Sequence, residues 1–263
     1  MRIVRFSLPG TVAFGVLEAA GPGPGGMSGA SVRPVRGHPY AELDLVDTAI
    51  PIESVKLLAP VLPSKIIGIG QNYADHAAEM GSQPPADPLI FLKPNTAVIG
   101  PGARIKLPEQ SSRVEHEGEL AVVIGRMCRH VAAVDADRVI LGYTCGNDVT
   151  ARDLQATDWQ WTRAKGFDTF CPLGPWIETD FDPADSDVEV LVNDELRQRG
   201  STSQMVFGVR ELVSWVSSIM TLLPGDVILT GTPAGVGPLV EGDRVSVSIA
   251  GLGTLTNDVI AGE

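Results

Sequence analysis

Glu115-His116-Glu117-Gly118-Glu119-Leu120-Ala121-Val122-Val123-Ile124-Gly125 is the stretch that decides the fold. Leu120 to Ile124 are consecutively apolar, and Gly125 ends the run. Such a run reads as a buried strand, here Glu117–Ile124. On a strand, residues i and i+2 share a face, so Glu117 and Glu119 point the same way. Burying two unpaired carboxylates costs several kcal/mol, and a bound cation is the natural compensation. The plain alternative is a solvated strand end, with Glu115 on the same face. Taken alone, E-x-E is more often surface charge.

A third carboxylate shifts that balance. Cys145-Gly146-Asn147-Asp148-Val149-Thr150 places Asp148 near another strand end, beside small residues. Three carboxylates without a cysteine or histidine cluster make a hard oxygen site. That chemistry favours Mg2+ or Mn2+ over Zn2+.

Working outward, strands dominate. Met1–Leu8 and Thr11–Leu17 read as strands joined at Pro9-Gly10. Gly21 to Gly26 reads as a loop, and Ile52–Leu58 as one or two helical turns. Lys65–Gly70, Pro88–Lys93, Tyr143–Val149 and Val227–Thr230 read as strands. Asn72 is expected to cap a helix over Tyr73–Met80, with Gly81 at its end. Asp135–Leu141 and Arg152–Ala156 read as helices. Asn193-Asp194 predicts a hairpin between Val188–Val192 and Leu196–Arg199. Val209, Leu212, Val213, Val216 and Met220 carry the one clear helical stripe. Val245, Val247 and Ile249 alternate and predict a strand that pairs with Leu255–Val259. No regular βαβ alternation appears, so the expected class is α+β, mainly β.

Two further groups carry chemistry. His76 and Glu79 stand at i and i+3 on the expected helix, where their side chains can meet. A carboxylate beside an imidazole orients it for general-base work; the plain alternative is a surface pair. Lys165 lies among Trp159, Trp161, Phe167 and Phe170, where it can hold a substrate carboxylate or, more ordinarily, snorkel to the surface. Gly68-x-Gly70 lacks the third glycine of a dinucleotide fingerprint. Gly231 to Gly237 lacks the lysine of a phosphate loop, yet as a turn it can present Thr232 and backbone N–H groups to an anion. No G-x-S-x-G is present, so a serine-hydrolase elbow is unsupported.

The 263 residues carry a net charge of −12, which argues against nucleic acid and anionic membranes as partners. Cys128, Cys145 and Cys171 form no C-x-x-C, and reduced thiols in a cytoplasmic protein are the expectation. No apolar run approaches the roughly 18 residues of a membrane span.

Six stretches in order resemble the fumarylacetoacetate hydrolase (FAH) family. They are G-Q-N-Y-A-D-H-A-A-E (70–79), F-L-K-P (91–94), E-H-E-G-E-L-A-V-V-I-G (115–125), G-N-D-V-T-A-R-D-L-Q (146–155), A-K-G-F-D-T-F-C-P-L-G-P (164–175) and P-G-D-V-I-L-T-G-T-P-A-G-V-G (224–237). The resemblance implies an FAH-type fold, a rolled mixed β-sheet with few helices. A catalytic domain at 63–263 would follow a small β-rich N-terminal domain at 1–62, usually in a homodimer. It also implies Mg2+ or Mn2+ held by Glu117, Glu119 and Asp148, with His76 and Glu79 as the catalytic dyad. Lys165, Arg152, Gln155 and Thr232 match residues lining the substrate pocket, Lys165 counting with the catalytic set. Gln71, assigned to substrate binding, stands where some 2-oxo acid hydrolases of the family carry arginine. A carboxamide does not clamp a carboxylate as a guanidinium does, so the substrate's identity does not carry over.

The implied activity is on a small enolisable 2-oxo acid through a metal-stabilised enolate. C–C hydrolysis of an acylpyruvate or fumarylpyruvate comes first. Isomerisation of 2-hydroxyhepta-2,4-diene-1,7-dioate and oxaloacetate-type decarboxylation are the alternatives. A catalytically silent ligand-binding protein is the competing class.

Overall fold

A computed structural model describes residues 1–18, 29–41 and 43–262. The loop expected at Gly21 to Gly26 lies outside the described residues. The fold is α+β and mainly β, as the resemblance implies, with a large mixed sheet and short helices. The large sheet runs Ile140–Asn147, Gly118–Ile124, Val227–Leu229, Ile66–Gly70, Leu89–Lys93 across its catalytic half. On its other side Cys171–Glu178 pairs with Arg2–Leu8, so the N-terminal strands continue the same sheet. A second, five-stranded sheet includes the hairpin Asp187–Val192 and Glu195–Ser201, and Arg244–Ile249 with Gly253–Ala261. The hairpin turn is the expected one: Asn193 and Asp194 sit at φ 52° and 65°, both left-handed as a type I′ turn requires.

Gly118–Ile124 explains its own sequence. Leu120, Val122 and Ile124 enter one hydrophobic cluster, and Ala121 and Val123 enter another. A strand covered on both faces has no use for alternation, hence the continuous apolar run. Gly118 faces the second sheet so closely that a Cβ would stand 2.3 Å from Val190 Cγ2. The glycine between the two glutamates is therefore a packing requirement.

Strand direction places the site. Gly118–Ile124 is antiparallel to Ile140–Asn147 and to Val227–Leu229, which is parallel to Ile66–Gly70. The C-terminal ends of three strands thus meet the N-terminal end of the fourth. Gln71, Asp148, Thr232, Glu117 and Glu119 all lie at those ends.

Three local expectations need correction. Ile52–Ser54 is one 3-10 turn, and Lys56–Leu58 is a strand, because Leu57 and Leu58 pair with Phe6 and Arg5. Ala133–Arg138 is a 3-10 helix, and Ile140 already begins the strand beside Ile124. The helix near His76 spans Ala74–Glu79 with Tyr73 as its N-cap residue and no side-chain cap. Asn72 is fully buried and bonds elsewhere: its Nδ2 donates to Thr230 O, and its Oδ1 accepts from Phe207 N. Gly81 does end the helix, at φ 73°.

Candidate active site

Glu117, Glu119 and Asp148 converge. Ligand oxygens from all three lie within 4.8 Å of one another, and all three residues are buried. The solvated-strand-end alternative fails, because Glu115 is buried as well. Glu117 sits in the gap between strands Val114–His116 and Gly118–Ile124. Its carbonyl accepts Asp148 N at 2.8 Å, which ties the second carboxylate segment to the first.

Cations surround two of the three carboxylates. Lys165 Nζ lies 2.8 Å from Glu117 Oε2 and 2.6 Å from Asp148 Oδ2. Arg152 donates from Nε to Glu115 Oε2 at 2.7 Å and from Nη2 to Glu117 Oε1 at 2.5 Å. Burial alone would raise the Glu117 carboxyl, but Lys165 and Arg152 outweigh it and hold it well below the usual range. Glu119 is the opposite case. Burial, then the Asp148 and Glu117 charges, push its carboxyl well up. Among the described residues its one side-chain hydrogen bond comes from Gly231 N, 2.8 Å from Oε2.

The donor set fits a hard divalent cation. Three buried carboxylates crowd one point, and among the described residues one of them, Glu119, has no ion-pair partner of its own. Glu117, Glu119 and Asp148 are the residues that would hold it.

A cavity of about 320 Å³ opens over this cluster. Gln71, His76, Arg152, Gln155, Lys165 and Thr232 line it with the three carboxylates. Glu79 stands behind His76, its Oε2 3.2 Å from His76 Nδ1. Gly235 N bonds the same carboxylate, so the Gly231–Gly237 turn steadies Glu79. Lys165 is 2% exposed, which rules out the snorkelling alternative.

Two buried residues that sequence reasoning missed support this arrangement. Lys93 Nζ lies 2.5 Å from Asp148 Oδ1 and 3.2 Å from Val149 O, fixing the carboxylate from behind. The signal was present in F-L-K-P: a lysine on an apolar strand must find an anion. Gln198 accepts at Oε1 from Gly118 N and bonds His116 Nδ1, while its Nε2 donates to Thr232 Oγ1 and Pro233 O. It is the fully buried residue of a mostly exposed strand, so no periodicity marks it.

Residues 65–260 match the sequence profile of the fumarylacetoacetate (FAA) hydrolase C-terminal domain, and residues 1–60 match that of the Rv2993c-like N-terminal domain. The chain belongs to the fumarylacetoacetate hydrolase family and is an enzyme of that family. A 2-hydroxyhepta-2,4-diene-1,7-dioate isomerase from Mycobacterium marinum is 51% identical, with a TM-score of 0.91 over 99% of this chain and 98% of that one. The mitochondrial oxaloacetate tautomerase Fahd2a of Rattus norvegicus is 44% identical over 80% of this chain and 71% of its own length. The maleylpyruvate hydrolase of Sphingobium sp. SYK-6, solved with manganese(II) and pyruvate, is 34% identical with a TM-score of 0.79 over all of both chains. Among the described residues, no helix is long and apolar enough to cross a membrane.

Proposed function

We propose that this enzyme is a Mg2+- or Mn2+-dependent hydrolase that cleaves a C–C bond in a small enolisable 2-oxo acid of acylpyruvate or fumarylpyruvate type. One observation carries the reading: a buried three-carboxylate cluster and an oriented histidine share one cavity. When bound, the divalent cation supplies Lewis acidity to a chelating carboxylate and keto oxygen and lowers the cost of an enolate. In this reading His76 Nδ1 donates to the Glu79 carboxylate, whose Oε2 lies 3.2 Å away, and Nε2 is left as the base. His76 takes a proton from water as its oxygen adds to the C4 carbonyl. The C3–C4 bond then breaks with its electron pair on C3, which is reprotonated, leaving a carboxylic acid and pyruvate.

The likeness to the M. marinum isomerase and the rat tautomerase favours a second reading. There the same histidine moves a proton between carbon and oxygen, and no bond to carbon is hydrolysed. Oxaloacetate-type decarboxylation is a third branch and needs no water.

Purified protein with Mg2+, Mn2+ or EDTA, given acetylpyruvate, oxaloacetate or a 2-hydroxy-dienedioate, separates the branches by ultraviolet absorbance. Acetylpyruvate loss that EDTA abolishes is the expected result. His76→Ala should lower it by about 10²–10⁴-fold, the usual span for a general base, while sparing decarboxylation. Full activity of metal-stripped protein ends the metal reading. We also place the enzyme in the cytoplasm, which its free cysteines support. A homodimer is proposed on the family resemblance, with no nucleic-acid or membrane partner; sedimentation as a monomer would end the dimer proposal.

A further inference from the structure

Gln198 belongs to the second sheet, yet it touches both halves of the site. Its strand, Glu195–Ser201, stands at the edge of that sheet with most of its side chains exposed. Opposite it the register slips: Val190 faces Gln198 and Leu191 faces Leu196, so Arg197 is an extra residue. A bulge of this kind bends the strand and re-aims the neighbouring side chain. Gln198 is turned inward and fully buried.

The polarity of its four contacts follows from two backbone groups. Gly118 N can only donate, and Pro233 O can only accept. The carboxamide therefore turns Oε1 to Gly118 N at 3.0 Å and Nε2 to Pro233 O at 2.7 Å. His116 Nδ1, 3.0 Å from the same Oε1, must then carry its hydrogen. Thr232 Oγ1, 2.8 Å from Nε2, must accept, and its own hydrogen goes to Gly118 O at 2.8 Å. Gln198 and Thr232 thus grip both polar backbone groups of Gly118, the residue between Glu117 and Glu119. Thr232 lines the cavity but has no hydrogen left to give a substrate.

The same network carries the turn at 231–236, which belongs to no strand or helix. Gly231 N bonds Glu119, Gln198 holds Thr232 and Pro233, and Gly235 N bonds the Glu79 carboxylate at 3.1 and 3.2 Å. The turn rests directly on the Gln198 strand. A Cβ on Gly235 would stand 2.4 Å from Arg197 O, and one on Gly200 2.6 Å from Pro233 Cβ. Glu79 depends on this support, because its side chain is 35% exposed and water competes for it. Glu117 and Asp148 do not, since Lys93, Arg152 and Lys165 hold them.

Building on the reading of His76 as the base beside a bound cation, we propose that Gln198 is a positioning residue. Through Thr232 and Pro233 it fixes the turn on Gly118, and so sets where Glu79, and His76 with it, stands relative to the three carboxylates.

Gln198→Met fills similar space and makes none of the four bonds. In the metal-free variant the Gly235 amide proton, no longer held on Glu79, should lose its downfield NMR shift, while the amides of Val209–Ile219 keep theirs. In the Mn2+-loaded variant kcat should fall by about 10–10²-fold, the cost of a small misplacement of a reacting group. It is measured on whichever of acetylpyruvate, oxaloacetate and a 2-hydroxy-dienedioate the wild type turns over. KM and Mn2+ affinity should stay within about threefold, as for sites that act nearly independently. Gln198→Glu keeps an acceptor for Gly118 N but, when ionised, has no hydrogen for Pro233 O. It should show the same losses, and it decides the matter if the methionine variant does not fold. An unmoved Gly235 signal overturns the proposal, as does a kcat that falls only in proportion to the folded fraction. His76→Ala separates the two readings. If it leaves kcat intact, the base reading fails and this proposal with it; if it lowers kcat while the Gln198 variants do not, the role of Gln198 alone is overturned.

Discussion

Asp226 and Glu119 are both buried carboxylates at opposite ends of the same pair of strands, and they are treated in opposite ways. Asp226 precedes Val227–Leu229 and is fully buried. It accepts from Ser64 N and Oγ, Lys65 N and Leu223 N, and pairs with the Lys65 ammonium. Glu119 lies at the other end, just inside Gly118–Ile124, with a single side-chain hydrogen bond among the described residues, from Gly231 N. Asp226 gathers its own donors, whereas Glu119, proposed above to hold a cation, is left short of them. The difference is physical: an ion taken out of water is tolerated only with a full set of partners.

The largest expected effect breaks the comparison at the Glu119 end. Glu119→Gln should lose divalent-cation binding, and turnover should fall by about 10³-fold or more, the upper end for removing one electrostatic stabiliser. The metal-free variant should melt at the same temperature as the metal-free wild type or higher, because like-charge repulsion is relieved. Calorimetry with Mn2+ alongside thermal melts checks both. A variant that unfolds would place Glu119 with Asp226.

Asp226→Asn should do the reverse. Leaving Lys65 without its anion and weakening four further bonds should cost about 3 kcal/mol of stability in urea unfolding. The folded fraction should keep its Mn2+ affinity within about threefold, since distant sites act nearly independently. Loss of metal binding would show that the two ends are coupled.

Glu178 sharpens the comparison with the smallest effect. It accepts from Arg2 Nε at 3.3 Å, from Asp180 N and from the Met1 amino group. Burial would raise its carboxyl, but these partners outweigh it and lower it below 4.5. A depressed folded value means that the stability it contributes is complete above the unfolded value near 4.5 and is lost as pH falls through the lower folded value. Glu178→Gln should therefore melt slightly lower than the wild type at pH 7, where the contribution is complete, and converge with it as pH falls below the folded value, which flattens the acid limb of the profile. An unchanged acid limb would show that Glu178 behaves as solvated charge.

Much of the fold was legible because it rests on local rules. The Leu120–Ile124 run, the Asn193-Asp194 turn and the stripe Val209–Val216 each declare their element through burial, backbone handedness or helical period. The misreadings occurred where pairing overrode local preference. Lys56–Leu58 became strand by pairing with Arg2–Leu8, and Asn72 left its capping role for distant carbonyls. The site was legible where its residues cluster in sequence, as in Glu117-Gly118-Glu119 and His76 with Glu79. Gln198 was not, because four hydrogen bonds to other segments leave no pattern in its own.

By itself the sequence determined a β-rich chain, an acidic pair at the head of an apolar run, the family motifs and an inventory of charges. Only the tertiary structure decided which charges meet. It set Lys93 and Lys165 on opposite oxygens of Asp148, left Glu119 with no ion-pair partner among the described residues and brought Gln198 to Gly118. Pairing of charges depends on distances across strands far apart in the chain. Low-dielectric burial then makes each such distance count for more than it would in water.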